Sequence, residues 1–154
     1  MTGIRDRIRM SPEGLTRFLD EERTVTCATL GPRGLPHLMP LWYVVRDGDL
    51  WAWTFAKSQK VRNLERDPRA TLQIEAGTSY EELRGAMIEA DVTIHRELDA
   101  VLALGLALAG RYGGHLGERG VRTQAPKRVA LQFSPTHVVS WDHRLFSIGR
   151  SASS

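Results

Sequence analysis

The chain has 154 residues, of which 42% are apolar and 25% charged, with a formal net charge of +3 and a pI of about 9.4. That length suits one domain with a substantial core and excludes two. The mild basicity fits an anionic ligand but is low for a protein that wraps DNA. A single cysteine, Cys27, excludes an internal disulfide and a thiolate metal cluster.

The first ten residues, MTGIRDRIRM, lack the apolar segment of a secretory signal and read as an extension to the domain. With the lone cysteine, this leads us to expect a cytoplasmic protein. Ser11-Pro12-Glu13 opens a helix with a capping serine and a proline at its first position, and Leu15, Phe18 and Leu19 share one face. TVTCATL (24–30) is rich in β-branched residues and predicts a strand, GPRGLP (31–36) a turn, and HLMPLWYVV (37–45) a second strand. Pro40 within that strand implies an edge, a bulge or a ligand-facing break. Asp47-Gly48 turns the chain into DLWAWTF (49–55) as a hairpin.

A short helix over 58–66 follows, opened by Ser58 and stopped by Asp67-Pro68. RATLQIE (69–75) alternates with period two, and a longer strand sets Ala86, Ile88, Ala90, Val92 and Ile94 against Met87, Glu89, Asp91, Thr93 and His95. Residues 97–111 carry Leu98, Val101, Leu102, Gly105, Leu108 and Ala109 at helical spacing. The run AVLALGLALAG within them is too short to span a bilayer, which takes about 18 apolar residues, and reads as a buried helix. KRVALQF (127–133) is a further strand that HVVSW (137–141) continues or restarts, and residues 148–154 read as a flexible tail. Hairpins dominate, so the expected fold is mainly β within the α+β class. It is a single domain over 11–147, a closed or split antiparallel β-barrel of six to seven strands with flanking helices.

AKSQK (56–60) stands out within this plan. The start of a helix carries partial positive charge and favours acids, yet here it is flanked by Lys57 and Lys60. Two readings remain open. Either the free amides of the first turn, the Ser58 hydroxyl and the two ammonium groups bind a phosphate, or both lysines are solvated at a cost of about 0.3–1 kcal/mol each. Upstream, Trp51, Trp53 and Phe55 share one face of their strand, either as a platform for a planar ring or as core and dimer contacts.

Ser58-Gln59-Lys60, Asn63-Leu64, Asp67-Pro68-Arg69-Ala70, Leu83-Arg84-Gly85 and Ile88-Glu89-Ala90 resemble the split-barrel flavoproteins of the pyridoxamine 5′-phosphate oxidase superfamily. The similarity is greatest to the actinobacterial branch that binds the deazaflavin coenzyme F420, where an Ala-Lys-Ser-x-Lys segment before a short helix is common. The resemblance implies a homodimer with cofactor sites at the subunit interface. It also implies that Lys57, Ser58 and Lys60 bind the coenzyme phosphate, with Gln59 standing where the oxidases place a second phosphate-binding arginine. Met39, Pro40, Leu41 and Trp42, together with Thr54, Phe55 and Ala56, match segments that line the ring. The Arg-Leu-x-Pro tail of the namesake oxidases is missing from SIGRSASS at the end of this chain, which argues against vitamin B6 oxidation.

The expected function is therefore F420-dependent hydride transfer to or from a small organic substrate, in which the cofactor carries the chemistry and no protein group need be catalytic. FMN is the rival cofactor, and storage of a cofactor or tetrapyrrole without turnover is the non-enzymatic alternative. Nucleic-acid and membrane partners are not expected. Glu21-Glu22 and Glu81-Glu82 read as solvated, and the five histidines show no metal-ligand spacing. His143-Arg144 is a candidate for the substrate side of a cleft, and Arg111-Tyr112-Gly113-Gly114 for a loop that caps a pocket or merely ends a helix.

Overall fold

The computed structural model describes residues 3–114 and 117–146, so His115 and the tail expected at 148–154 lie outside the described residues. Seven strands form one antiparallel sheet: β1 (Val25–Leu30), β2 (Pro36–Leu41), β3 (Tyr43–Arg46), β4 (Asp49–Phe55), β5 (Arg69–Ala76), β6 (Arg84–His95) and β7 (Arg128–Asp142). The helices are α1 (Ile4–Arg7), α2 (Pro12–Glu21), α3 (Gln59–Arg66), α4 (Leu98–Tyr112) and α5 (Gly117–Gln124).

The sheet order is β2-β1-β5-β6-β7-β4-β3, so its two edge strands are consecutive in the chain and separated by Trp42 alone. One residue spans only about 3.5 Å. The sheet must therefore curl until its edges meet at this corner, which makes it a split barrel with Trp42 at the seam. The single strand expected over 37–45 is thus two strands. The chain stops pairing with β1 at Leu41 and begins pairing with β4 at Tyr43. Pro40 sits on an edge strand, where its missing N–H breaks no ladder.

Side chains satisfy the backbone at the seam. The Tyr43 N–H donates to Tyr112 Oη (3.0 Å), and the Tyr43 carbonyl accepts from Arg111 Nη1 (2.6 Å). Arg111 Nη2 also donates to the carbonyls of Leu19 (3.1 Å), Asp20 (2.9 Å) and Glu22 (2.7 Å), capping the exposed end of α2. The end of α4 therefore ties the seam to α2.

Burial follows the periods in the sequence. Ala70, Leu72 and Ile74 of β5 and Ala86, Ile88, Ala90 and Val92 of β6 fill the barrel, with Phe18, Tyr43, Leu50, Leu131 and Phe133. A second apolar layer lies outside, where Val101, Leu104 and Leu108 of α4 cover Val44, Trp51, Trp53 and Ala130. Leu104, absent from the expected face, is buried, whereas Leu98 is 54% exposed. The helix is thus buried on one side only, with Ala103 and Gly110 exposed. α5 has no counterpart among the sequence expectations, because Val121 is its one buried side chain and sets no period. β7 is continuous across 133–137, bent by a register shift between Glu89 and Ala90 of its partner β6. Residues 8–10 are tied to its far end, the Asp142 N–H donating to the Ile8 carbonyl (2.7 Å) and the Met10 N–H to Ser140 Oγ (3.1 Å).

Candidate functional site

β4 delivers Thr54, Phe55 and Ala56 directly into the turn that opens α3. Ser58 is the N-cap of that helix, its hydroxyl oxygen accepting from the Val61 N–H (3.4 Å), and the first turn contains no acid. Lys57 and Gln59 are exposed, so this cationic helix start faces outward. The amides of Gln59 and Lys60 lie in the first turn and have no intrahelical acceptor. The Ser58 hydroxyl and these amides are thus available as donors for a compact anion, with Lys57 exposed beside them in the chain.

Lys60 does not join Lys57 on that side. It is 6% exposed and its Nζ donates to Thr54 Oγ1 (3.0 Å). The inward face of α3 explains this, because Lys60, Val61, Asn63 and Leu64 are all buried. Asn63 Nδ2 donates to Thr29 Oγ1 (3.0 Å), while Asn63 Oδ1 accepts from Gln59 Nε2 (2.8 Å). Burial pulls the Lys60 pKa below the usual lysine value, opposed by nearby Cys27 and reinforced by Arg128. Burial pushes the Cys27 thiol up to about 12, so it is inert as a nucleophile.

The second component is an apolar cavity of about 690 Å³ between the seam and α4, within the size range of small-molecule sites. Pro40, Leu41 and Trp42 form one side, Trp53 another, and Leu108, Ala109, Gly113 and Gly114 at the end of α4 close it. Gly113 and Gly114 adopt φ of 68° and 113°, left-handed values that glycine alone takes without strain. They both end the helix and line the cavity. Trp42, 57% exposed, stacks on Tyr112 with ring centroids 4.6 Å apart and planes 7° apart.

Of the expected ring-lining residues, the structure gathers Pro40, Leu41 and Trp42 around this cavity. Met39 is exposed beside it on β2, Thr54 faces the barrel interior, Ala56 packs on the core, and Phe55 is half exposed at the end of β4. His143 and Arg144 are engaged elsewhere, His143 Nδ1 with the Tyr80 carbonyl (2.7 Å) and Arg144 in a two-pronged pair with Asp142 (2.9 and 2.8 Å). Glu21 and Glu22 pair with Arg84 (3.0 and 3.8 Å). No group of three or more His, Cys, Asp or Glu side chains among the described residues is arranged to hold a metal. No helix among them is long and apolar enough to cross a membrane.

Arg128, which the sequence did not single out, also lines this cavity. It opens β7 opposite Phe55, and its guanidinium lies 3.6 Å from the Phe55 ring centroid and 4.7 Å from that of Trp53. Its Nε and the Trp53 Nε1 are both buried without a hydrogen-bond partner. Only the β4–β7 register brings it here, so no local sequence signal marks it. An apolar cavity with a cationic helix start at the end of the same strand fits a planar ligand that carries a phosphate, and the two orphaned donors at the cavity are open to an acceptor.

The comparisons with known proteins agree with this architecture. The family model described as pyridoxamine 5′-phosphate oxidase matches residues 11–142. A conserved hypothetical protein from Mycobacterium tuberculosis is 40% identical, with 95% of this chain and 93% of that one covered at a TM-score of 0.87. A solved structure described as an F420 reductase is 25% identical over 83% of this chain and 98% of that one, with a TM-score of 0.71. A haem storage protein from Vibrio cholerae shares the fold alone, at 17% identity and a TM-score of 0.68 over 86% of this chain and 96% of that one. No curated protein sequence matches the chain. From its sequence match and its split-barrel fold, the chain belongs to the pyridoxamine 5′-phosphate oxidase family.

Proposed function

We propose that this protein binds the deazaflavin coenzyme F420 and acts as an oxidoreductase on a small organic substrate. The observation that carries this reading is the acid-free, cation-flanked start of α3, placed by β4 next to the aromatic strand face that borders the Pro40–Trp42 cavity. The likeness to a structure described as an F420 reductase supports the choice of cofactor. When bound, the coenzyme supplies the hydride chemistry.

The chain's own groups bind and orient. Lys57, the Ser58 hydroxyl and the amides of Gln59 and Lys60 hold the phosphate. Buried Lys60 adds its charge from beneath the helix start rather than by contact. Pro40, Leu41 and Trp42 hold the ring on one side, and the end of α4 excludes water from the cavity. Met39 and Phe55, both exposed, border the approach between the two components, while Thr54 anchors Lys60 from the barrel interior and Ala56 packs on the core beneath the turn. We also propose a homodimer with the sites at its interface, a reading supported by exposed Leu38 and Met39 on β2, Trp42 at the seam, and Val138 and Val139 on β7.

The test is a fluorescence titration of the purified protein with F420 and with FMN. Micromolar binding of F420 with none of FMN supports the reading. Binding of FMN alone transfers the site to the flavin, and binding of neither removes the cofactor assignment.

A further inference from the structure

Arg128 is the charged group at the cavity to which the proposed function gives no partner. Stacking on Phe55 and Trp53 holds its guanidinium without using any of its N–H donors. Among the described residues, no carboxylate pairs with it, and its buried Nε has no acceptor. A half-buried cation without an acceptor is costly, and burial lowers its pKa accordingly. The other arginines facing the interior are engaged. Arg111 has four carbonyls, and Arg84 has Glu21 and Glu22.

Arg128 lines the same cavity as Leu41, Trp42, Trp53 and Leu108. The walls therefore select an apolar, planar molecule, and a single cation at their edge selects its charge. We infer that the Trp53 side of the cavity, distinct from the Pro40–Trp42 side that holds the coenzyme ring, takes a planar apolar anion, one with a carboxylate or sulfonate on an aromatic or conjugated body, and that Arg128 receives the anionic group. A planar guanidinium matches the two oxygens of such a group, and its contacts with the Phe55 and Trp53 rings fix its orientation. That this anion is the substrate of hydride transfer rests on the proposed function; its binding does not.

The experiment uses two fluorescent probes and no coenzyme: 8-anilinonaphthalene-1-sulfonate, which is anionic, and N-phenyl-1-naphthylamine, which is neutral and of similar shape. Wild type should bind both. Arg128→Met should weaken the anionic probe roughly tenfold or more, as expected for loss of one charge-assisted bond, and leave the neutral probe within about twofold. Arg128→Lys should recover part of the loss. Ala109→Trp, which fills the cavity from α4, should reduce both, locating them there. The inference fails if Arg128→Met leaves the anionic probe unchanged, if it weakens both probes equally, or if wild type binds neither. Intact probe selectivity in a protein that binds no F420 would overturn the coenzyme assignment alone.

Discussion

Tyr112 joins the seam of the barrel to the wall of the cavity, and its hydroxyl and ring have separable roles. Its Oη accepts from the Tyr43 N–H (3.0 Å) and donates its one hydrogen to the carbonyl of Arg23 (2.8 Å) or of Tyr43 (2.9 Å). In Tyr112→Phe the Tyr43 carbonyl keeps Arg111 Nη1 at 2.6 Å, and the Arg23 carbonyl, being exposed, turns to water. The Tyr43 N–H loses its acceptor at a partly buried corner, a loss of about 1–2 kcal/mol. For a chain of this length that lowers Tm by about 2–8 °C. The stack on Trp42 survives, so cavity binding should hold. Tyr112→Leu removes the stack as well, worth a further 0.5–1.5 kcal/mol or so, and frees Trp42 from its place at the cavity. Thermal melts and urea titrations of both variants, paired with probe binding, give the comparison. A Tyr112→Phe protein that melts within about 1 °C of wild type would refute the assigned role of the hydroxyl at the seam.

Lys60→Met should alter the pH dependence of stability. A lysine whose folded pKa is lowered binds fewer protons folded than unfolded, so its contribution rises with pH from the lowered value up to about 10.5. The raised Cys27 thiol acts in the opposite sense above its ordinary value, and subtracting the variant from wild type removes most of that effect. Urea midpoints at pH 7.5 and 9.5 should rise less for Lys60→Met than for wild type; equal slopes would show that the ammonium is not desolvated. Gly85→Ala should destabilise by about 1–3 kcal/mol, because a Cβ there meets the Trp141 ring and the Ile74 carbonyl at 2.8 Å. A urea midpoint at the wild-type value would contradict that packing.

Strands β4, β5 and β6 were legible because each buries one face. The period-two pattern of 86–95 and the Asp47-Gly48 turn map directly onto β6 and the β3–β4 hairpin. The break at Trp42 was not, since nothing in LWYVV reveals that the chain changes strand neighbours there; only closure of the sheet requires it. The same limit governs the site. The Ser58 cap was readable from local helix chemistry, and the edge position of Pro40 from its missing donor. The burial of Lys60 depends on how α3 is rotated onto the barrel, and Arg128 reaches Phe55 through strands 73 residues apart in the chain, counted from their register partners. Helical spacing put Lys57 and Lys60 together, whereas packing of Val61, Asn63 and Leu64 separated them.

The proposed phosphate clamp at the start of α3 is tested by the F420 affinity of Lys57→Ala beside that of wild type, with the melting temperature of each protein as a control for folding. Loss of the exposed cation should weaken F420 roughly tenfold, the scale of one charge-assisted hydrogen bond, with Tm unchanged. Undiminished binding by a folded Lys57→Ala protein would contradict the assignment of coenzyme phosphate to this helix start.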